Sequence, residues 1–267
     1  MSETSTNGAA TVLSEVRDQT QWITLNRPDQ RNALNDEVAG LIAAALVSAQ
    51  ADSHVRAIVL TGAGNKAFCA GGDLKAGSDD SPFEVDPAHP TNPIIELFKT
   101  FEKTTKPTIA RVNGHALAGG MGLMCACDIA IAVESATFGV PETGIGLFPM
   151  MILPYMLRAM PRRKLLEWCI TGARWSAQEA AEAELLNRVV SAEELDPAIE
   201  ELLGVIVERS PSAIRLGKTG LHAIEDMTLA QSFEFAQLML PNMARTQDAR
   251  EGFLAFREKR APRFEGN

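Results

Sequence analysis

The sequence has few of the residues that build disulfides and metal centres, since it contains only four cysteines and four histidines. No two cysteines have the Cys-x-x-Cys spacing of a zinc or redox motif, and Cys125 and Cys127 have no histidine nearby as a further ligand. We therefore expect free buried thiols in a reducing compartment. We expect no metal and no redox cofactor.

Long hydrophobic runs and an excess of basic residues are also missing. No uninterrupted apolar segment approaches the roughly 20 residues that cross a bilayer, and residues 1–8 lack the basic and apolar regions of a secretory signal. The net charge of −9 argues against a broad nucleic-acid surface, because phosphate backbones are bound by clustered lysines and arginines. Basic clusters at 162–164 and 258–263 could hold the phosphates of a small ligand, but solvated helix ends are the simpler interpretation. We expect a cytoplasmic protein without nucleic-acid or membrane partners.

Hydrophobic periodicity divides the chain into a mixed first part and a helical second part. Alternation predicts a half-buried strand at Gln21–Asn26, and Asn35 is expected to cap a helix that extends to Gln50. Further strands are predicted at 11–16, 57–61, 108–112 and 128–133, and further helices at 94–103, 119–126, 149–160, 163–170, 176–183, 194–208, 211–224, 228–240 and 246–257. The predicted fold class is α/β, with a disordered tail at 1–10, a core at 11–200 and a C-terminal helical subdomain at 201–267.

Two glycine-containing turns each follow a predicted strand, Ala67-Phe-Cys-Ala70-Gly71-Gly72-Asp73 and Gly114-His-Ala-Leu-Ala-Gly119-Gly120. Small residues let the backbone approach a ligand closely. If Gly119 opens a helix, its N–H is one of the unpaired donors at the helix N-terminus, where the dipole favours an anion. Two such N–H groups that converge on one oxygen would form an oxyanion hole, although turns of this kind also serve as simple connections.

Five segments, taken in order, resemble the signatures of the crotonase superfamily, the enoyl-CoA hydratase/isomerase family. They are Thr24-Leu-Asn-Arg-Pro28 with Arg31-Asn-Ala-Leu34, Ala67-Phe-Cys-Ala-Gly-Gly-Asp-Leu74, Val112-Asn-Gly-His-Ala-Leu-Ala-Gly-Gly120 with Cys127-Asp128, Phe138-Gly-Val-Pro-Glu142, and Glu251-Gly-Phe-Leu-Ala-Phe-x-Glu-Lys-Arg-x-Pro-x-Phe264. The match covers nearly the whole chain. Each segment alone is a weak signal, and their common order makes the resemblance specific.

The resemblance implies a crotonase fold, in which a spiral of ββα units precedes C-terminal helices that build trimer contacts. It implies a homotrimer or a dimer of trimers, and an enzyme of acyl-CoA chemistry of the kind found in fatty acid metabolism. Coenzyme A would be bound as part of the substrate, and no separate cofactor is implied.

The resemblance also implies which residues surround the substrate. The thioester oxygen would be held by the N–H groups of Ala70 and Gly119 while the reaction passes through an enolate, with Glu142 as acid and base. Arg27, Arg31 and Lys259 lie in segments that touch the phosphates or adenine of coenzyme A in relatives. The other residues expected at the substrate are Ala67, Gly71, Asp73, Leu74, Gly120, Met150 and Met151.

Position 122 departs from the family pattern. Hydratases of the family carry one glutamate three residues after the oxyanion glycine and a second one in the Phe-Gly-x-Pro-Glu motif, whereas this chain has Gly122 and Glu142. A single carboxylate can still move a proton between two carbons of an allylic system. The sequence therefore favours isomerisation of the double bond slightly over hydration.

Several alternatives remain open at the level of sequence. His115 or Asp128 could replace the missing acid, Glu134 and Glu179 are more consistent with surface carboxylates, and the acids of the 77–93 loop cannot be ranked. Met150 and Met151 could reshape the acyl pocket and exclude water, or could simply pack in the core. Rival functions are hydration with a substitute acid, thioester hydrolysis or dehalogenation, and a catalytically silent acyl-CoA-binding subunit.

Overall fold

The structure is a computed structural model that describes residues 10–73 and 91–266. The predicted tail at 1–10 lies outside the described residues except for Ala10. Leu74 and most of the predicted 77–93 loop also lie outside them.

Within residues 10–73 and 91–266, ten strands form two sheets. The first sheet has the strand order β1-β2-β3-β5-β7-β10, in which only the β1/β2 pair is antiparallel. Its strands are β1 Val12–Arg17, β2 Thr20–Leu25, β3 Ala57–Gly62, β5 Thr108–Val112, β7 Ile129–Val133 and β10 Arg188–Val190. The second sheet has the order β4-β6-β8-β9, with β4 Ala67–Cys69, β6 His115–Leu117, β8 Thr137–Gly139 and β9 Arg174–Ser176. Strand β3 carries six consecutive buried residues, as expected for a strand covered on both faces.

In the part of the chain that the structure describes, ten α-helices connect and flank the sheets. They are α1 Asp36–Ala51, α2 Pro93–Lys103, α3 Gly119–Ala126, α4 Leu153–Ala159, α5 Arg162–Thr171, α6 Ala177–Glu182, α7 Leu195–Val207, α8 Pro211–Glu225, α9 Leu229–Ala244 and α10 Gln247–Glu258. Asn35 caps α1, because its side chain accepts a hydrogen bond from the Val38 N–H at 2.9 Å. The helix predicted at 149–160 is shorter than expected, since it starts at Leu153 after a turn around Pro149.

The order of the elements explains the two sheets. Each of the successive groups β3-β4-α2, β5-β6-α3 and β7-β8-α4 places its first strand in the first sheet and its second strand in the second sheet. The predicted spiral of ββα units is therefore confirmed. Helix α3 begins directly after β6 and packs beside β4, so the glycine turns that follow β4 and β6 meet at one end of the second sheet.

The core lies between the sheets and the first helices. Its largest fully buried side chains include Trp168, Phe68, Phe138, Ile23 and Leu25. The C-terminal helices are less covered, and α9 has no buried residue. Among the helices of residues 10–73 and 91–266, none has the length and apolar character needed to cross a membrane.

Candidate active site

Two buried asparagines hold the loops that surround the ends of β3 and β4. The Asn32 amide donates to the Ala67 carbonyl at 2.7 Å and accepts from the Arg27 N–H at 3.0 Å. The Asn113 side chain likewise donates to the Gly62 carbonyl and accepts from its N–H, at 2.8 and 3.1 Å. A buried amide with satisfied donors and acceptor fixes its neighbours strongly. The Arg31-Asn-Ala-Leu34 and Val112-Asn-Gly114 motifs are thus scaffolding for the glycine turns.

Within the described residues the N–H of Gly72 has no acceptor, and its direction is fixed by its own peptide group. The carbonyl of Gly71 accepts from the Leu34 N–H at 2.7 Å, and the Asp73 N–H donates back to the Leu34 carbonyl at 2.7 Å. Because N–H and C=O point in opposite directions across a planar trans peptide, the Gly72 N–H points away from Leu34. Within the described ranges it donates to no protein acceptor.

The N–H of Gly119 also lacks an acceptor within the described residues, and its direction is likewise fixed by the peptide group to which it belongs. The Ala118 carbonyl accepts from the Met121 N–H at 2.9 Å inside the first turn of α3. The Gly119 N–H belongs to the same peptide and therefore points out of the helix N-terminus. No acceptor in the described part of the chain takes it. The helix dipole adds a favourable potential for negative charge at this point.

The two glycine turns approach each other closely enough for both N–H groups to bind one oxygen. A Cβ placed on Gly119 would lie 3.7 Å from the Gly72 nitrogen, and a Cβ placed on Gly71 would lie 3.4 Å from the Gly119 nitrogen. A Cβ on Gly120 would lie 2.1 Å from the Cys69 carbonyl oxygen, so α3 can reach β4 only with glycine there. The pair of free N–H groups is suited to an oxygen that gains negative charge.

The prediction that Ala70 supplies one of these donors is wrong. Its N–H donates to the Arg31 carbonyl at 3.0 Å, so it is already paired inside the protein. Gly71, with a φ of +98°, separates this peptide from that of Gly72 and lets their N–H groups differ in direction. Sequence reasoning missed Gly72, although the Gly-Gly pair itself signals one residue for the turn and another for the close approach.

Arg27 and Asp73 form a shielded ion pair rather than a contact for coenzyme A. The Nη2 of Arg27 lies 2.7 Å from the Asp73 Oδ2, and both side chains are less than 15% exposed. The Nη1 of Arg27 donates to the Ala33 carbonyl at 2.7 Å. These bonds tie the N-terminal loop to the turn of Gly72, and the predicted role of Arg27 at the phosphates is not supported by this geometry.

Glu142 lies in a short 3₁₀ turn, Pro141–Ile145, that follows β8. The Ala118 N–H donates to the Gly139 carbonyl at 2.9 Å, so the segment that carries Glu142 is held beside the turn that carries Gly119. Burial raises the pKa of the Glu142 carboxyl above its ordinary value. Its Oε2 is buried, and no group in the described ranges hydrogen-bonds it. A partly desolvated carboxyl with an unpaired oxygen is equipped to take up a proton.

The thiol of Cys169, on α5, is close enough to Glu142 to feel its charge. Burial, and then the nearby Glu142 carboxylate, raise the pKa of Cys169 to about 11. This thiol therefore remains protonated at neutral pH and does not compete as a base. The four cysteines are free, and the pKa values of Cys69 and Cys125 are raised to about 12 by burial.

The space beside Gly122 is filled by hydrophobic side chains. A Cβ placed on Gly122 would lie 2.3 Å from Cγ2 of Ile152 and 2.7 Å from Cζ of Phe98. Both contacts are shorter than any real Cβ contact, so even alanine would require these side chains to move. A glutamate at this position does not fit the present packing, and neither Phe98 nor Ile152 was identified from the sequence.

A basic pocket lies beside Ala67 and Ala70. Its volume is about 350 Å³, and its lining includes Arg31, Lys66 and Arg174. The strand pairs β4/β6 and β8/β9 bring these residues together from distant parts of the chain. Arg31 was predicted at the substrate, whereas Lys66 and Arg174 were not.

His115 also lines this pocket and is held as a neutral acceptor. Its Nδ1 accepts a hydrogen bond from the Thr137 N–H at 3.2 Å, which places the ring proton on Nε2. Burial and then the charges of Arg174 and Arg31 lower its pKa. This position offers no support for His115 as the missing acid.

The other candidates are distributed as follows. The Asp128 Oδ2 binds the Thr108 N–H and the Lys218 ammonium, both at 2.7 Å, so it joins α8 to the core. Met150 is 65% exposed and Met151 is half-buried, so Met150 does not pack in the core of this chain. Lys259 is exposed at the C-terminus of α10 and is not part of the basic pocket. In the described residues, no group of three or more His, Cys, Asp or Glu side chains could hold a metal ion.

Comparisons with known proteins agree with this architecture. The family described as enoyl-CoA hydratase/isomerase matches residues 16–267. The chain is 33% identical over 262 residues to (E)-benzylidenesuccinyl-CoA hydratase of Thauera aromatica, with 96% of this chain and 99% of that protein covered. It is 34% identical over 255 residues to carnitinyl-CoA dehydratase of Salmonella arizonae, with 92% and 94% covered. The crystal structure of enoyl-CoA hydratase from Bacillus anthracis superposes with a TM-score of 0.88 at 32% identity, over 97% of this chain and all of the other.

Proposed function

The chain belongs to the enoyl-CoA hydratase/isomerase family of the crotonase superfamily and acts on acyl-CoA, and we propose that it shifts the double bond of an enoyl-CoA thioester with Glu142 as its only acid–base group. One observation carries this proposal. The place of a second carboxylate, beside Gly122, is filled by Ile152 and Phe98. Addition of water to a double bond needs polar groups that hold and split a water molecule. The side chains beside Gly122 are apolar and therefore do not favour hydration.

The proposed reaction needs one base and one oxyanion site. The N–H groups of Gly72 and Gly119 bind the thioester oxygen of a 3-enoyl-CoA and stabilise the dienolate that forms when Glu142 removes a proton from C2. The protonated Glu142 then returns the proton at C4, and the product is the 2-enoyl-CoA. No atom is gained or lost, and the carboxylate is regenerated.

The environment of Glu142 supports this proton transfer. Burial raises its pKa, which makes the carboxylate a stronger base and brings its proton affinity closer to that of the carbon acid. The unpaired Oε2 leaves one carboxyl oxygen available for the transferred proton. A single carboxyl that both takes and returns the proton accounts for the absence of a partner acid at residue 122.

The basic pocket supports binding of the nucleotide end of coenzyme A. Arg31, Lys66 and Arg174 offer three positive charges next to the glycine turns, in a chain whose net charge is −9. Phosphate groups need such local cations in an acidic protein. We assign Arg31 and Lys66 to the phosphates. Ala67 and Ala70 form the wall beside them, in place of the donor role once expected for Ala70.

The exposed C-terminal helices support assembly with further copies of the chain. Helices α9 and α10 expose large apolar side chains, namely Leu229, Phe233, Leu238, Leu240, Phe253 and Phe256. Exposed apolar surface of this extent is typical of an interface. We propose a homotrimer, or a dimer of trimers, built on these helices, and the four free cysteines support a reducing compartment such as the cytoplasm.

Product analysis in D₂O tests the proposed reaction. Short and medium 3-enoyl-CoA and 2-enoyl-CoA are incubated with the wild type, with Glu142→Gln and with Glu134→Gln, whose exposed side chain serves as a matched control. We expect a rapid shift from the 3- to the 2-enoyl thioester, lost only in Glu142→Gln, with less than one deuterium taken up per turnover because Glu142 returns to C4 the proton that it took from C2.

Hydration by Glu142 alone is the second candidate, because the relatives named above are a hydratase and a dehydratase. Rapid formation of 3-hydroxyacyl-CoA without isomerisation would establish it. If the protein bound acyl-CoA tightly and formed neither product, it would be a binding subunit or would catalyse another thioester reaction.

A further inference from the structure

Ala118 has a backbone conformation that alanine rarely adopts. Its φ of 47° and ψ of −120° lie outside the left-handed helical region, in which Arg31 and Lys259 are found with ψ values of 36° and 41°. The region of Ala118 is one that glycine adopts readily and that strains residues with a Cβ. Strained residues of this kind persist only where the surrounding structure holds them, and they cluster at functional sites.

The peptide groups on both sides of Ala118 are held by hydrogen bonds. Its N–H donates to the Gly139 carbonyl at 2.9 Å, and its carbonyl accepts from the N–H groups of Met121 and Gly122 at 2.9 and 3.4 Å. The torsion angles of Ala118 therefore set the angle between β6 and the first peptide of α3. The free N–H of Gly119 belongs to that first peptide.

The methyl group of Ala118 also lies against the other glycine turn. A Cβ placed on Gly71 would lie 2.7 Å from the Ala118 Cβ, so the methyl group occupies the space that a side chain at residue 71 would need. The same imagined Cβ would lie 3.4 Å from the Gly119 nitrogen. The methyl group thus lies between the turns that carry the N–H groups of Gly72 and Gly119.

We propose that Ala118 is a positioning residue, whose strained backbone aims the Gly119 N–H and whose methyl group spaces it from the Gly72 N–H. This inference rests on the proposed function only in that both need an oxyanion site. Ala118 touches no reacting atom and acts through the two glycines. A donor that is held in place before the charge develops stabilises the enolate more than one that must reorient.

The variant Ala118→Gly removes the methyl group and the strain together. We expect its melting temperature to equal or exceed that of the wild type, because glycine adopts this conformation freely. We expect kcat to fall about tenfold, with KM within about twofold, because the loss falls on the charged intermediate. The matched control is Ala44→Gly, on an exposed position of α1, which should lower the melting temperature and leave kcat unchanged.

A binding measurement separates this inference from the isomerase proposal. Acetoacetyl-CoA, which ionises to an enolate, and butyryl-CoA, which does not, are titrated against both variants and the wild type. We expect Ala118→Gly to bind acetoacetyl-CoA about tenfold more weakly and butyryl-CoA equally well. The positioning role would be overturned if Ala118→Gly bound both ligands as tightly as the wild type does, if its kcat were unchanged, or if its melting temperature were lower than that of the wild type. If the wild type catalyses no isomerisation, the proposed reaction fails while this titration still decides the role of Ala118.

Discussion

The side chain of Ile152 occupies the space into which a side chain at residue 122 would extend. Its Cγ2 lies 2.3 Å from the position of a Cβ on Gly122, and Cζ of Phe98 lies 2.7 Å away on the same side. Gly122 belongs to α3, Phe98 to α2 and Ile152 to the turn before α4. Three separate elements therefore close the space beside residue 122.

The variant Gly122→Glu should not become a hydratase. We expect it to lose about 3 kcal/mol or more of unfolding free energy, because overpacking and a buried charge combine. In a Phe98→Ala/Ile152→Ala background, where the glutamate fills part of the cavity, we expect Gly122→Glu to cost less stability than it does in the wild type, and we expect the formation of 3-hydroxyacyl-CoA to rise at least about tenfold over the Phe98→Ala/Ile152→Ala control. Denaturant unfolding and product analysis measure these effects. A stable, hydrating Gly122→Glu single variant would contradict the packing argument.

The rate should depend on the ionisation of Glu142. Since its pKa is raised and the carboxylate is the active form, kcat/KM should fall as the pH drops through a pKa above the ordinary glutamate value of 4.5. Glu142→Gln should reduce kcat by about 10²–10⁴-fold. A pH profile that is flat down to the ordinary glutamate range would exclude Glu142 as the base.

The same pKa shift predicts a change in stability. A carboxyl with a raised folded-state pKa destabilises the fold once it ionises, so its penalty is present above that pKa and vanishes below the unfolded value. Glu142→Gln should therefore melt higher than the wild type at pH 7, and the difference should disappear on acidification through the ordinary glutamate range. Thermal unfolding at a series of pH values measures this difference, and a Glu142→Gln variant that melted lower than the wild type at pH 7 would show that the shift has the opposite sign.

Arg27 and Arg31 should respond differently to truncation. Arg27→Ala removes the shielded ion pair with Asp73 and the hydrogen bond to the Ala33 carbonyl, and it should lower the unfolding free energy by about 1–3 kcal/mol. Arg31→Ala and Lys66→Ala should leave stability nearly unchanged and weaken binding of an acyl-CoA about tenfold each, with the effect reduced at high salt. Unfolding curves and calorimetric titrations at two salt concentrations distinguish these roles. If Arg31→Ala and Lys66→Ala both bound acyl-CoA as tightly as the wild type does, the coenzyme A phosphates would have to bind elsewhere.

The apolar face of α9 should control assembly. Phe233→Asp introduces a charge where we propose contact with another copy, and it should shift the protein to smaller species in sedimentation velocity. Val47→Asp, at a similarly exposed apolar residue of α1, is the matched control and should leave assembly unchanged. Identical sedimentation of the Phe233→Asp variant and the wild type would place the interface elsewhere.

The sequence predicted individual helices and strands well because these depend on local patterns, and the crotonase fold followed from the resemblance of its motifs. Asn35 caps its helix as expected, and the strands predicted at 57–61 and 108–112 are present. Hydrophobic alternation and capping residues act over a few positions and can be read directly. The assignment of the strands to two sheets was not predicted, since no local pattern assigns a strand to one sheet or the other.

The details of the site depended on contacts between distant residues. Ala70 and Gly72 are two positions apart, and only the hydrogen bonds to Arg31 and Leu34 decide which of their N–H groups is free. Arg27 is a basic residue near the glycine turns, yet its pairing with Asp73 is formed across 46 positions of the chain. The space beside Gly122 is likewise filled by packing between three elements, and the glycine itself does not reveal which side chains fill it.

The packing beside Gly122 also limits the order in which this site could change. An acid at residue 122 fits only where the side chains of Ile152 and Phe98 are smaller. Each such reduction leaves a cavity that costs about 2–5 kcal/mol before any new chemistry is gained. The present packing therefore places a stability barrier between a site with glycine at residue 122 and one with an acid there.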